Sequence, residues 1–409
     1  MLILIFVGLP VNPVFCCPKN RLPEAVLPCT KGQGPTQYLF RIVSAEAAWS
    51  LHIRPREVWR ELYSTPTMKK TEHLSRKRRG LGESGVLERI EELVPRMKIP
   101  SSGVRLAIGD DAAVYRSTTG YEQMLTCDWF LEGSHFLRDK HPADAVGWKC
   151  LARAVSDVAA MGGVPRCFLL SLALPATHVG VWLDQFLGGL RRAAKRFGCV
   201  LAGGDTTRNK NILINVTVVG EARTSRAVLR SGARPGDALF VSGRLGEAEL
   251  GLRLIRNSKH RPKRHDPRLR KHLYPEPRLA LGRWLAEKRL PSAMMDLSDG
   301  LSTDLPRLCS LSGVGARIEA GKIPIVPMPK SGRSPDYDPL RMGFDGGDDY
   351  ELLFTVPRRK CQHLPRSFHG LPITAIGEIT KERALLLTDE AGGTRRLANL
   401  GWDPFRKPR

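Results

Sequence analysis

Residues Cys167 to Arg208 read CFLLSLALPATHVGVWLDQFLGGLRRAAKRFGCVLAGGDTTR, and this stretch sets the fold class. Cys167 to Leu174 is a continuous apolar run of strand length. Val179 to Phe197 carries apolar residues at helical spacing and is stopped by Gly198. Cys199 to Gly203 is a second apolar strand, delivered into Gly204-Asp205-Thr206-Thr207-Arg208. Strand and helix alternating in this way predict an α/β or α+β domain.

The same alternation extends outward. Ile212 to Val219 alternates as a strand, and Pro142 to Met161 reads as a helix. That helix opens on Pro142 and Asp144, buries Leu151, Ala154, Val155 and Val158, and closes on Gly162-Gly163 and Pro165. Asp157 falls on the flank of its apolar stripe, where it can look into a cleft. Further upstream, Leu87 to Val94 has helical spacing. Val104 to Ile108 is a strand ending on Gly109-Asp110-Asp111, and Met124 to Cys127 is a short strand ending on Asp128.

Turn formers gather at Arg230-Ser231-Gly232-Ala233-Arg234-Pro235-Gly236-Asp237, which places a boundary there. The expected domains are residues 81–230 and 231–409, preceded by a poorly ordered, basic extension over 1–80 in which Met68 is read as the natural start. In the second half, Ala238–Ser242 is a strand, and Gly243 and Gly246 mark a turn read as structural. A helix is expected around 301–311, with strands at Glu351–Val356 and 373–377. The basic insertion over 256–272, with His260, His265 and His272, lacks acidic or cysteine company and reads as a solvated loop.

Composition narrows the class. Of 409 residues, 64 are Lys or Arg and 41 Asp or Glu, a formal charge of +23 that would draw any polyanion. The arginines are scattered, with one dense run at Arg76-Lys77-Arg78-Arg79, so a specific nucleic-acid partner is not expected. The nine cysteines contain no Cys-x-x-Cys pair, which suits reduced core residues and a cytoplasmic location. Met1 to Cys17 is apolar but too short to span a bilayer, and no membrane association is expected.

The chemistry lies in a repeated pattern, an apolar strand running through a small residue into aspartate. It occurs at Gly109-Asp110-Asp111, Cys127-Asp128, Gly204-Asp205, Asp296-Leu297-Ser298-Asp299 and Gly347-Asp348-Asp349. Six or more carboxylates in one half-buried place repel strongly unless cations are shared among them. Oxygen-only ligation selects a hard cation, magnesium above all, which favours phosphate as its remaining ligand. No Gly-x4-Gly-Lys-Ser/Thr loop and no protein-kinase signature is present. A nucleotide enzyme here must therefore hold phosphates by metals, backbone amides and an arginine such as Arg230.

These motifs together resemble the thiamine-monophosphate kinases. Gly109-Asp110-Asp111-Ala112-Ala113, Cys127-Asp128 with Gly133-Ser134-His135-Phe136, Ser156 to Gly162, Gly204 to Arg208 and Arg230 to Asp237 are similar to that family's N-terminal domain. Asp296 to Leu301 and Gly346 to Leu352 are similar to its C-terminal domain. The resemblance implies a two-domain, aminoimidazole ribonucleotide synthetase-like architecture whose N-terminal domains form a shared barrel in a homodimer. It implies ATP-dependent phosphorylation of thiamine monophosphate, with another ATP-dependent synthetase of the superfamily as the rival.

By position, the resemblance puts magnesium ligands at Asp111, Thr126, Asp128, Asp157, Asp205, Asp296 and Asp299. It puts ATP contacts at Gly204, Asp205, Arg230 and Ser298, and substrate contacts at His135, Asp348 and Trp402. Asp128, Asp205 and Arg230 carry the expected catalysis. Two residues depart from the family pattern: Cys127 stands where threonine is usual, and Asp348 where glutamate is usual. Because a phosphate acceptor is already ionised near neutral pH, charge neutralisation and in-line alignment are expected to suffice without a general base.

Overall fold

The computed structural model describes residues 85–86, 89–90, 92, 103–106, 112–258, 266–327, 338–397 and 401–402. The expectations for residues 1–80, Met68, Arg76 to Arg79, Asp110, Asp111, His260 and His265 lie outside the described residues. The described residues belong to one compact unit, Lys77–Arg409.

The chain first forms a short pair, β1 (Val104–Leu106) with β2 (Val114–Tyr115). A four-stranded sheet follows from β3 (Tyr121–Leu131), β4 (Val164–Leu174), β5 (Val200–Arg208) and β6 (Leu213–Arg223), in the order β3-β6-β4-β5. The β3/β6 and β4/β6 pairs are antiparallel and β4/β5 is parallel. Helices α1 (Ala143–Ala160) and α2 (Val181–Phe197) cover one face, where Phe130, Val155, Leu170, Phe186, Leu190 and Val216 form a single core. The two helices approach backbone to backbone through glycine. A Cβ on Gly147 would lie 2.0 Å from the Phe186 carbonyl oxygen, and one on Gly189 1.9 Å from that of Asp144. α2 stops where expected, on Gly198 in the left-handed conformation (φ 69°).

Two strands run on past their expected ends. β3 does not stop before Asp128; it pairs with β6 through all eleven of its residues, carrying Asp128 in mid-strand. Likewise Asp205 lies within β5. The reason is pairing: Trp129, Phe130 and Leu131 oppose Asn215, Ile214 and Leu213, so the ladder continues through the aspartate.

The second half builds a larger sheet from β7 (Ala238–Ser242), β8 (Ala293–Leu297), β9 (Gly315–Glu319), β10 (Glu351–Val356), β11 (Ser367–Phe368), β12 (Leu371–Thr380), β13 (Leu385–Thr388) and β14 (Thr394–Arg396). Its order is β14-β13-β9-β12-β7-β10-β8, with β11 paired to β12. Around it lie α3 (Glu247–Asn257), α4 (Arg270–Leu273), α5 (Leu279–Glu287), α6 (Leu301–Ser312) and α7 (Pro339–Asp345). Strand β7 is buried on both faces. Leu239 and Val241 pack with Leu301, Leu305 and Leu308 of α6, whereas Ala238 and Phe240 pack with Leu281 and Leu285 of α5. Ala160 of α1 joins the α5 side. A Cβ on Gly282 would fall 2.0 Å from the Ala159 carbonyl oxygen, so α1 and α5 meet as closely as two backbones can. Helix α1 thus serves both sheets.

His272 departs from the solvated-loop reading of 256–272. It is buried on α4, with its Nε2 3.0 Å from Nε2 of His141 and its Nδ1 3.3 Å from the Lys149 ammonium. Among the described residues no helix is long and apolar enough to cross a membrane.

Candidate active site

Helix α1 organises the site. Lys149, Arg153 and Asp157 recur every four residues and so share one face, with Ser156 beside them. The inner row of β3 supplies Thr126 and Asp128. The Thr126 hydroxyl donates to Oδ2 of Asp157, and Ser156 donates to Oδ2 of Asp296 at 2.7 Å. Asp296 is the inward carboxylate of β8, and Asp299 follows at the end of that strand. Side chains from both sheets therefore converge on α1.

Asp348 enters from the turn before β10. Asp348 (φ 68°) and Tyr350 (φ 50°) both adopt the left-handed conformation, which costs a non-glycine residue of order 1–3 kcal/mol. Two backbone bonds hold the turn there: Asp348 N–H donates to the Ser298 carbonyl and Tyr350 N–H to that of Leu297, each at 2.8 Å. The result aims Asp348 at α1. Lys149 donates to its Oδ2 at 2.8 Å, the Tyr350 hydroxyl to its Oδ1 at 2.6 Å, and Arg153 stands 3.7 Å away.

The carboxylates act on one another. Burial pushes the Asp128 carboxyl up to about 6. Arg153 opposes this, while Asp157, Asp299 and Asp348 add to it. Burial and neighbouring Asp157 push Asp296 up to about 8. Asp157 is raised by burial, against the Thr126 hydrogen bond and the charges of Arg230 and Arg153. Burial also opposes ionisation of Asp348, but Lys149, Arg153 and His272 outweigh it and hold that carboxyl well below the usual range.

His135 lies at the rim. Leu131 N–H donates to its Nδ1 at 2.9 Å, leaving Nε2 to carry the proton of a neutral ring. Burial, then the charge of Arg153, lowers its pKa to about 4. Its ring sits 5.8 Å from Phe130 and 6.3 Å from Trp402, whose backbone N–H donates to the Asp299 carbonyl.

Most of the expected site residues thus meet in one basin: Thr126, Asp128, Asp157, Asp296, Asp299, His135, Asp348 and Trp402, with Ser298 beside them. Arg230 is exposed but close enough for its charge to lower both Asp157 and Asp296. Gly204 and Asp205 stand apart. In the sheet register Asp128, Val216, Leu170 and Gly204 form one row and Trp129, Asn215, Ser171 and Asp205 the next. Asp205 therefore faces away from Asp128, three strand spacings or about 14 Å across the sheet. Cys127 points the same way as Asp205 and bonds Asn215 rather than the basin, its Sγ 3.1 Å from the amide nitrogen.

Among the described residues no group of three or more Asp, Glu, His or Cys side chains is close enough together to hold a metal ion by itself. The basin offers single carboxylates and a hydroxyl instead. Asp128 accepts no hydrogen bond within 3.5 Å among the described residues, and three like charges press on it. An all-oxygen donor set of this open kind fits magnesium, which binds through one or two carboxylates and completes its shell with phosphate and water.

Lys149, Arg153 and Tyr350 were not foreseen from the sequence. Their signal was present in the four-residue spacing of Lys149, Arg153 and Asp157, which puts two cations and an acid on one helix face.

Comparison with known proteins supports the same picture. Residues 109–222 match the family profile described as AIR synthase related protein, N-terminal domain, and residues 234–389 match its C-terminal domain. The thiamine-monophosphate kinase of Bacillus subtilis (strain 168) is 34% identical over 327 residues, covering 78% of this chain and 98% of its own. Among solved structures, AaThiL complexed with AMPPCP and TMP is 32% identical with a TM-score of 0.61, covering 81% of this chain and 100% of that one. The thiamine-monophosphate kinase of Stenotrophomonas maltophilia K279a is 32% identical with a TM-score of 0.64, covering 73% and 94%.

Proposed function

The chain belongs to the thiamine-monophosphate kinases of the AIR synthase related family, and from that premise we propose that it transfers the γ-phosphoryl group of ATP to thiamine monophosphate, giving thiamine diphosphate. The observation that carries the reading is the basin along α1, where carboxylates from both sheets press on an unpartnered Asp128. A relative's complex with AMPPCP and TMP supports the two substrates.

Magnesium is proposed to be held by Asp128, Asp157, Asp296, Asp299 and Thr126 in the basin, with Asp111 as a further ligand; Asp205, on the opposite face of the sheet, is not placed to share that ion. When bound it neutralises the charge of the phosphates and polarises them for displacement. The chain's own residues do the rest. Gly204, Asp205, Arg230 and Ser298 are assigned to the nucleotide, and His135 and Trp402 to the acceptor, with Asp348 held beside them by Lys149 and Tyr350. The neutral His135 ring, beside Phe130 and Trp402, suits a flat cationic heterocycle better than an imidazolium would. The acceptor is already an anion, so transfer is proposed to be direct, without a general base or a phosphoenzyme.

We assign most of the ATP and metal contacts to residues 81–230, with Asp296, Ser298 and Asp299 contributed by residues 231–409. The outer face of the four-stranded sheet exposes Leu125 (72%), Trp129 (55%) and Leu169 (40%), which supports a homodimer in which a second copy covers this face. Buried thiols such as Cys150, Cys199 and Cys309, all unpaired, are in keeping with a cytoplasmic enzyme.

Incubation with ATP, magnesium and thiamine monophosphate is expected to yield thiamine diphosphate and ADP in equal amounts, resolved by chromatography. ATP consumed with no thiamine diphosphate formed would refute the assignment and favour a synthetase of the same family. A radiolabelled phosphoprotein on any aspartate would refute direct transfer.

A further inference from the structure

Arg153 is a basin cation that the proposed mechanism leaves without a task. It lies on α1 between the acceptor-side residues His135 and Asp348 and the metal-side carboxylates Asp128, Asp157 and Asp299, all of which its charge affects or is affected by. A guanidinium has five N–H donors in a fixed fork. Among the described residues Arg153 places none of them within 3.5 Å of an acceptor. Its Nε is fully buried without a partner, and its nearest acid, Asp348, is 3.7 Å away. Asp348 already accepts one hydrogen bond on each oxygen, from Lys149 and Tyr350, and meets Arg153 only as a longer ion pair. The guanidinium instead rests 5.5 Å above the Phe130 ring, with 17% of its side chain exposed.

Such an arrangement is costly as a purely structural one. Buried donors left unpaired lose their hydration with nothing in return. A phosphate monoester, carrying about −1.5 to −2 charges at neutral pH, fits the fork with two parallel N–H···O bonds. The flanking aromatic rings His135 and Trp402 fit the organic part of the acceptor, not the nucleotide assigned to Gly204, Asp205, Arg230 and Ser298. We propose that Arg153 binds the phosphate of the acceptor, so that the enzyme selects a phosphorylated substrate over the free alcohol. On this assignment Lys149 and Tyr350 are positioning residues that hold Asp348 in place and leave Arg153 free. The inference rests on the functional reading above and adds a substrate contact to it.

The experiment compares wild type with R153M and R153K, measuring turnover for both substrates and binding of thiamine monophosphate and of thiamine by calorimetry. For R153M the expected result is a KM for thiamine monophosphate raised roughly ten- to hundredfold. The KM for ATP stays within about threefold, preference for thiamine monophosphate over thiamine is lost, and the melting temperature is kept. R153K is expected to recover part of the acceptor affinity through its point charge. Unchanged acceptor KM and unchanged preference in R153M would overturn the assignment while leaving the kinase reading intact. So would equal losses for ATP and acceptor accompanied by a lower melting temperature, the signature of a structural arginine. Failure of the wild type to phosphorylate thiamine monophosphate would instead bring down the functional reading, and this contact with it.

Discussion

Asp348 and Asp349 are neighbours in sequence with opposite fates. Asp349 turns into the C-terminal half, where its carboxylate accepts the N–H groups of Gly246 (2.6 Å) and Ala248 (3.1 Å) at the start of α3. Glu351, two residues on, is buried against Ser242 (2.6 Å), Lys271 and Arg278, and a Cβ on Gly243 would strike its carboxylate at 2.2 Å. Asp304 likewise accepts the N–H groups of Ser298 and Asp299. These acids are consumed by the fold. Those along α1 are not: among the described residues Asp128 accepts no hydrogen bond, Asp296 has one serine, and both press on their neighbours. A buried carboxylate whose oxygens are filled by backbone N–H groups is a cap, whereas one left facing other acids is waiting for a cation.

Asp128→Asn should separate the two kinds most sharply. Removing an uncompensated charge from the basin is expected to cut kcat by about 10²- to 10³-fold, the usual effect of losing one preorganised electrostatic contact. The melting temperature should hold or rise, because like-charge repulsion is relieved. Asp349→Ala is expected to do the reverse. It leaves the Gly246 and Ala248 N–H groups buried and unpaired, costing about 1–3 kcal/mol in chemical denaturation, with kcat per folded molecule retained. Should Asp349→Ala abolish turnover in protein that remains folded, the division into caps and cation-seeking acids fails.

Much of the basin was legible because aspartate is so conspicuous in an otherwise basic chain. Asp128, Asp157, Asp296, Asp299 and Asp348 stand out for this reason and do converge. Asp304 and Asp349 look no different in sequence, and only the backbone amides they meet reveal them as caps. The cations were harder to read. Lys149 and Arg153 sit in a helix that is otherwise largely apolar, and their purpose appears only when the second sheet brings Asp348 against them. His272 was hidden in a basic stretch, and its burial depends on α4 folding back onto α1. The strands through Asp128 and Asp205 were read too short because polar residues inside a ladder resemble a strand end until a partner continues alongside. That longer ladder is also what turns Asp205 away from Asp128.

The two kinds of acid should answer alike to pH but differently to magnesium. A carboxyl raised in the folded state binds a proton that the unfolded chain, with its pKa near the ordinary value of about 4, has already released. Stability from such groups is complete at low pH and is lost as pH climbs through the folded values, about 6 for Asp128 and about 8 for Asp296. Asp304 and Asp349, each raised to about 7 by burial first of all, add to the same decline. Only the basin acids can recover it by binding a cation. The rise in melting temperature on adding magnesium should therefore be larger at pH 8 than at pH 5.5, with protons released on binding. An equal rise at both values would mean that the cation binds elsewhere.

The smallest effect is expected where sequence suggested a defect. Asp348 is one methylene shorter than the glutamate usual in the family, which invites the idea that its reach to substrate is impaired. The structure has already closed that gap from the other side. Lys149 and Tyr350 each hold one oxygen, and the left-handed backbone at Asp348 and Tyr350 is pinned to the end of β8. Asp348→Glu adds a methylene to a carboxylate with no slack and must displace one of those partners. It is expected to change the KM for thiamine monophosphate by less than about threefold, while overpacking lowers stability by about 1–3 kcal/mol. A tenfold gain in acceptor affinity would show instead that Asp348 itself reaches for the substrate, and the site's working cation would then have to be sought somewhere other than Arg153.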